Sequence, residues 1–435
     1  MEKINLPWLR NTLGPLALML VTPTLAMMIW FTNTEMGGSF SALWQLIQVK
    51  GFAIVFYEVW QPNVLGSFSA WAMIAIFMIT QLGLMRLLPG KIFKGPITPK
   101  GNIPIYKANG FLAFVTTISI YCIASFYFHF FSATIIYDNL GALLGALNLF
   151  SFIFCLILYF KGRYAPSSTD CGSSGNFLFD YYWGTELYPK FLGWQLKKFI
   201  SCRVGMMSWG LFLISYAAKQ HELFGLSNSM MVSVILQLLY ISKFFIWETG
   251  YLSSLDIMHD RAGYYICWGC LVWVPCIYTS PSMYLVLHPI QLSTWFASLI
   301  FISGSFCILI NYLADRQRQK LRSSKGECTI WGKKPIILQA AYQTEQGEQK
   351  QNLLLASGWW GISRHFHYIP EILAAFFWSV PALFDNFLPY FYLSFLTILL
   401  FDRAFRDEQR CARKYGKQWE LYCQRVPYKI IPYIV

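Results

Sequence analysis

A succession of apolar runs, each about as long as a bilayer is thick, constrains this chain more than any motif in it. A helix needs about 20 residues to cross the hydrocarbon core. Stretches of that character recur near 13–32, 67–87, 109–131, 141–160, 204–219, 228–246, 264–282, 293–313, 371–385 and 388–401. The last two are short, and the two polar residues 385 and 386 between them suggest a tight hairpin. Run 44–59 is aromatic and amphipathic and is expected to lie on the membrane surface rather than across it. Composition closes off the soluble alternative: only 13% of residues are charged and 56% are hydrophobic, against about 25% charged in soluble domains. The expected fold class is therefore all-α, a polytopic membrane protein of about ten transmembrane helices.

The net charge of +13 is distributed in a telling way. Lys91, Lys94, Lys100 and Lys107 fall in segment 88–108. Lys161, Arg163, Lys190, Lys197, Lys198 and Arg203 fall in 161–203, and the stretch 314–370 and the tail from Arg403 are basic. The alternating connections 132–140, 220–227 and 283–292 hold neither Lys nor Arg. By the positive-inside rule the basic side is cytoplasmic, and both termini lie there. Lys3 and Arg10 precede the first run without a small-residue cleavage site, so no removable signal peptide is evident. A polar, Gln/Lys-rich shift at 314–352 divides the chain into 1–313, with eight spans, and 314–435, with a cytosolic connection, the last two spans and the tail. An extended piece is expected at 335–342. The membrane lipid is a partner by composition, and nothing calls for nucleic acid.

Several chemistries lack their motifs. No G-x-G-x-x-G follows a strand and no G-x-x-x-x-G-K-[ST] occurs, so a nucleotide would have to be held by another fold. The 11 cysteines, several of them inside apolar runs, read as buried free thiols, and a metal site is not expected. What stands out is the C-terminal third: SGWWGISRHFHYIPE (357–371), then a hydrophobic hairpin, then a basic tail. Arg403, Asp407, Cys411 and Tyr415 repeat at i, i+4 on a helix continuing from the last span. Arg318 and Arg322 do the same beyond the span ending near 313. Guanidinium pairs bind phosphate oxygens bidentately, though arginines at a helix end also anchor at headgroups and Arg403–Asp407 is also an ordinary surface pair. Arg364, His365 and His367, set between WWG and an apolar hairpin, are harder to read as anything but a site. A second cluster is acidic: Glu248, Asp256 and Asp260. These are candidates for a proton donor or for fields that stabilise cationic charge, with solvated loop acids as the plain alternative.

These segments resemble the sterol reductases, the family that includes sterol Δ14- and Δ24-reductases and the reductase part of the lamin B receptor. The resemblance is carried by TPKGNIPIYKANG (98–110), YYWGTELYPKF (181–191), AAKQHEL (217–223), ETGYLSSLDIMHD (248–260), YLVLHPIQLS (284–293), CTIWGKKP (328–335), LLLASGWWGISRHFHY (353–368), LPYFY (388–392) and the tail from Asp402. It implies a ten-helix fold whose C-terminal helical part binds NADPH from the cytosolic side. The implied contacts are Arg318, Arg322, Leu355, Trp360, Arg364, His367, Arg403, Asp407 and Tyr415. The chain departs from the family pattern at Arg318 (usually Lys), His367 (usually Asn), Pro370–Glu371 (usually Gly-Asp) and Trp268-Gly269-Cys270 (usually Trp-Gly-Asp).

The implied activity is NADPH-dependent reduction of a sterol carbon–carbon double bond, with the sterol as substrate. ETxYLxxxDI and HPxQLS lean to the Δ7 branch, and Ile246 stands where a Δ14 enzyme is expected to carry tyrosine. A Δ14- or Δ24-reductase remains an alternative. So does a membrane S-adenosylmethionine-dependent methyltransferase, because the tail is loosely shared with isoprenylcysteine methyltransferases. The expected membrane is the endoplasmic reticulum in a eukaryote or the inner membrane in a bacterium. The charge asymmetry makes one outcome specific: a protease site inserted in 314–352 is cut from the cytosolic side of sealed vesicles, and luminal or periplasmic cleavage would sink the topology.

Overall fold

The computed structural model describes residues 8–98, 100–343, 347 and 349–434; the extreme N-terminus with Lys3, and the last residue, lie outside the described residues, so the cytoplasmic placing of the chain's two ends is not addressed there. The chain is 68% helical. Among the described residues nine helices are long and apolar enough to cross a membrane: Leu9–Glu35, Phe68–Leu87, Gly110–Tyr127, Leu140–Tyr164, Leu196–Phe224, Asn228–Ile246, Tyr264–Leu287, Thr294–Ser323 and Leu388–Tyr415. A shorter apolar helix, Tyr368–Ala382, lies between the last two. This is a multi-pass membrane protein, and the reason is the solvent: hydrocarbon offers no partner to a backbone N–H or C=O, so each crossing segment satisfies its own as helix. The expected run at 44–59 is two helices, Phe40–Lys50 and Phe52–Trp60, bent by 113° at Gly51, whose φ of 85° a side chain would disfavour.

Packing is closest where glycine removes a side chain. A Cβ on Gly145 would sit 1.8 Å from the carbonyl oxygen of Asn63, so the Leu140–Tyr164 helix touches the 61–66 turn backbone to backbone. Two spans contain long π-helical stretches, Phe199–Met206 and Gly269–Tyr278. They pack on each other, with Gly205 against the Cys270 carbonyl. The wider turn resets which residues face inward, and such segments concentrate at functional sites.

One boundary differs from the sequence reading. The fifth span begins at Leu196, so Lys197, Lys198 and Arg203 are buried within a helix; each has found a distant partner that cancels its cost. Thr294–Ser323 continues through the 313/314 division as one helix. The last helix runs from the membrane to Tyr415 without interruption, as the i, i+4 pattern required. Beyond these, strand Ile337–Gln343 pairs antiparallel with Gln349–Leu355. This hairpin, the end of the last helix and helix Lys417–Arg425 enclose a small apolar cluster of Ala340, Ala356, Cys411, Tyr415, Trp419, Tyr422 and Val426.

Candidate active site

The site is assembled from charges that would be costly if alone. Glu248 is 2% exposed. Its Oε1 lies 2.7 Å from Arg203 and 3.2 Å from Lys198, and its Oε2 accepts the Gly110 N–H at 2.8 Å. Arg203 also donates to Asn109 Oδ1 at 2.9 Å, and the Asn109 amide in turn meets the Leu84, Met85 and Leu88 carbonyls that end the second span. A Cβ on Gly110 would come within 2.8 Å of the Glu248 carboxylate, so the glycine is what admits it. The expectation for Glu248 was a carboxyl desolvated among aromatics. Phe245 is indeed adjacent, but two cations and an N–H also surround this group.

That node anchors loop 247–263, which presents the other two acids. Asp256, in the short helix Leu255–Met258, pairs with Arg403 of the last helix at 2.7 Å. Tyr265 and Tyr278 lie close enough to both to feel their charge. Asp260 is buried, with Oδ1 3.0 Å from His259 Nδ1, while its carbonyl and that of Ile257 accept from Lys197. The structure therefore joins a member of the acidic cluster to a member of the arginine set, 147 residues apart.

On the far side of Arg403, Arg318 lies over Trp360, 4.3 Å from the ring centroid. The Trp360 indole is fixed by donation to the Ala314 carbonyl at 2.8 Å and stands 4.9 Å from His367. Arg322 makes no hydrogen bond or ion pair among the described residues. Its neighbours are Arg318, Arg410 and Asp407, and Lys414 lies near it as well. Asp407 pairs with Arg410 at 2.7 Å. Tyr415 accepts from Asn352 at 2.8 Å, and the buried Leu355 gives its carbonyl to Tyr422. Arg318, Arg322, Arg410 and Lys414 thus gather on one face, where among the described residues Asp315 lies 4.0 Å from Arg318 and Asp407 2.7 Å from Arg410. Such an excess, beside an aromatic face, suits a phosphate-bearing ligand.

Arg364 takes a different part. It donates to Glu408 at 2.6 and 3.0 Å and to the Val426 and Pro427 carbonyls at 2.6 and 2.9 Å. Its guanidinium pins the C-terminal segment against the last helix. His365 and His367 stand behind it. Burial pushes the His365 imidazole down to about 4 and the His367 imidazole well below its ordinary value, so both remain neutral at physiological pH. The sequence reading missed Arg410, Lys414, Glu408 and Tyr422. Arg410 and Lys414 form their own i, i+4 stripe beside the one noticed, and that spacing was the available signal; Glu408 and Tyr422 left none.

The node tests itself through one substitution. Glu248→Gln leaves Arg203 and Lys198 buried without a counter-charge, a change on the order of 3–5 kcal/mol. A clear fall in the melting temperature of purified protein is expected, with turnover per folded molecule retained. Lost turnover at an unchanged melting temperature would return Glu248 to the role of proton donor.

Residues 9–435 match the model of the ergosterol biosynthesis ERG4/ERG24 family. A curated relative from Arabidopsis thaliana, a 7-dehydrocholesterol reductase, is 50% identical over 96% of this chain and 96% of its own length. A 7-dehydrocholesterol reductase of Xenopus laevis is 37% identical over 84% of this chain and 79% of its own. A Delta(14)-sterol reductase of Methylotuvimicrobium alcaliphilum is 34% identical over 96% of this chain and 94% of its own. Taken with the helical bundle and the cationic face at its end, these similarities mean that the chain belongs to the ergosterol biosynthesis ERG4/ERG24 family of sterol reductases.

Proposed function

We propose that this protein is an NADPH-dependent reductase of the sterol Δ7 double bond, converting 7-dehydrocholesterol to cholesterol or carrying out the same reduction on a related sterol. The observation that carries it is the 50% identity, end to end, with a relative of that name, against 34% with a Δ14-sterol reductase. Ile246 in place of the tyrosine expected of a Δ14 enzyme points the same way.

The chemistry asks for a hydride at one alkene carbon, a proton at the other, and tolerance of cationic character between them. NADPH, when bound, supplies the hydride. Arg318 and Arg322, helped by Arg410 and Lys414, would take the phosphates, and the excess of cations over acids on that face is what such a ligand would balance. Trp360, Leu355, His367 and Tyr415 would line the cofactor's path toward the membrane. Asp407 holds Arg410 in place. Arg403 ends that path beside Asp256, whose anionic oxygen favours positive charge developing on a sterol ring. A sterol needs an apolar slot, and the aromatic group beneath Arg403 would form its wall: Trp209, Tyr278, Trp378 and Tyr392 pack with centroids 4.5 to 6.2 Å apart, and Trp273 packs on Phe391 and Phe395 of the last helix. In a eukaryote the membrane would be the endoplasmic reticulum, with this cofactor face in the cytosol, where the nucleotide is.

Two measurements test the proposal. Expression in cells that accumulate 7-dehydrocholesterol, followed by sterol mass spectrometry, should show cholesterol forming. Activity confined to Δ14 or Δ24 substrates would overturn the Δ7 assignment. For the cofactor, Arg318→Ala and Arg322→Ala should each raise the apparent KM for NADPH about tenfold or more, the scale of a lost charge-assisted contact of roughly 1.5–3 kcal/mol, with a smaller effect for NADH. Unchanged constants in both variants would reject the placement.

A further inference from the structure

We propose that the proton added to the sterol is delivered by a half-buried pair, Tyr240 and Glu371, with Tyr240 as the group that touches the alkene; the proposal rests on the reductase reading above. The three carboxylates first suspected are poorly placed for this. Glu248 is locked between two cations, Asp256 is held by Arg403, and Asp260 lies against His259 behind the loop. A proton source is still needed inside the bundle.

Four helices bring one together. The Tyr240 phenol, on Asn228–Ile246, donates to Glu371 Oε1 at 2.7 Å. Glu371, in the first turn of Tyr368–Ala382, accepts from Asn311 of Thr294–Ser323 at 3.0 Å through its other oxygen. Tyr392 of the last helix lies near enough to feel the Glu371 charge. The Tyr240 ring stands 5.8 Å from Trp209 and 5.3 Å from Trp378, so its phenol belongs to the aromatic slot described above. A carboxylate at this depth is costly and marks a pathway or a site more often than a tether. A tether between two helices would be served by an uncharged amide.

The pair also has a route outward. The Asn311 amide that holds Glu371 donates to the His367 carbonyl at 2.8 Å, and its oxygen accepts from Lys243. Lys243 lies 4.0 Å from Asp315, and Asp315 lies 4.0 Å from Arg318. Polar groups therefore run without an apolar break from the aromatic slot to the cationic face.

The step balances as follows. In the reacting state Glu371 is protonated and donates to the Tyr240 oxygen, the reverse of the resting hydrogen bond; the Tyr240 O–H bond breaks as a C–H bond forms at one alkene carbon, and the Glu371 proton moves to the Tyr240 oxygen. The reduced nicotinamide that Arg318 and Arg322 would hold would supply the hydride for the neighbouring carbon. Glu371 then regains a proton from water on the cationic side.

The test uses the full chain in lipid nanodiscs, with NADPH and 7-dehydrocholesterol. Wild-type reduction of the sterol tests the reading itself; a wild-type chain without activity would remove that reading and this proposal with it. Given wild-type activity, Tyr240→Phe and Glu371→Gln should each lower kcat by ~10²-fold or more, the usual scale for general-acid catalysis. The apparent KM values, NADPH binding and melting temperature should stay as in wild type. The solvent deuterium isotope effect on kcat should rise in Glu371→Gln, because proton delivery then limits turnover. The double variant should be no slower than the slower single, since the two act as one unit. Wild-type kcat in Y240F, or losses that multiply in the double variant, would overturn the proposal. If Y240F does not fold, Glu371→Gln alone carries the same test. A lower kcat with a larger isotope effect supports the pair, and an unchanged rate overturns it.

Discussion

The contact between Glu248, Arg203 and Lys198 is the one on which the rest of the site depends. Any of these charges alone, deep in an apolar bundle, would cost several kcal/mol. Together, with the Gly110 N–H donating to Glu248 and Arg203 donating to Asn109, they convert three liabilities into a joint. That joint fixes the start of loop 247–263 against two spans. The loop in turn presents Asp256 to Arg403, and Arg403 stands where the cationic face meets the aromatic slot. The site's geometry is thus inherited from a structural ion cluster that need not touch substrate at all.

Helix is the default in a membrane, but a uniform helix would be a poor wall for a flat ring system. The two π-helical stretches, Phe199–Met206 and Gly269–Tyr278, sit face to face. The second carries Cys270, Trp273 and Tyr278, each turned toward the region between Asp256 and the last helix. Cys270 occupies the position of the family's usual acid. Its thiol brings no charge to that wall, so the carboxylate nearest the slot on this side is Asp256, already half-neutralised by Arg403.

Elements held together by local pattern were legible in the sequence, and elements held by distant pairing were not. The i, i+4 repeat of Arg403, Asp407, Cys411 and Tyr415 announced the long last helix, and Arg318 with Arg322 announced the extension of Thr294–Ser323. Hydropathy placed most spans within a few residues. It failed at the fifth, because Lys197, Lys198 and Arg203 read as loop until their partners are known. Lys197 is satisfied by carbonyls some 60 residues away and Arg203 by a carboxylate beyond position 240. The same blindness covers the site. Arg364 was conspicuous, but its engagement with Glu408 and the 426–427 carbonyls leaves no periodic trace. Tyr240 and Glu371, 131 residues apart, each look ordinary in their own helices.

Arginines at a helix end admit two readings, topological anchor and phosphate ligand, and under the proposed function the same side chains serve both. The positive-inside rule asks only that Lys and Arg remain on the cytoplasmic side, and it is indifferent to where their side chains point. Anchors alone would spread toward headgroups. Instead Arg318 folds back over Trp360, Lys414 lies 3.8 Å over the Tyr342 ring, and Arg322 is left facing both with no acid of its own. Like charges gather this way against their mutual repulsion only where the fold forces it, and the force is visible. The hairpin Ile337–Gln343/Gln349–Leu355 and the Arg364 clamp press the C-terminal segment onto the end of Thr294–Ser323. Residues that the positive-inside rule counts as topological markers are thereby collected onto one face, as the proposed phosphate-bearing ligand requires.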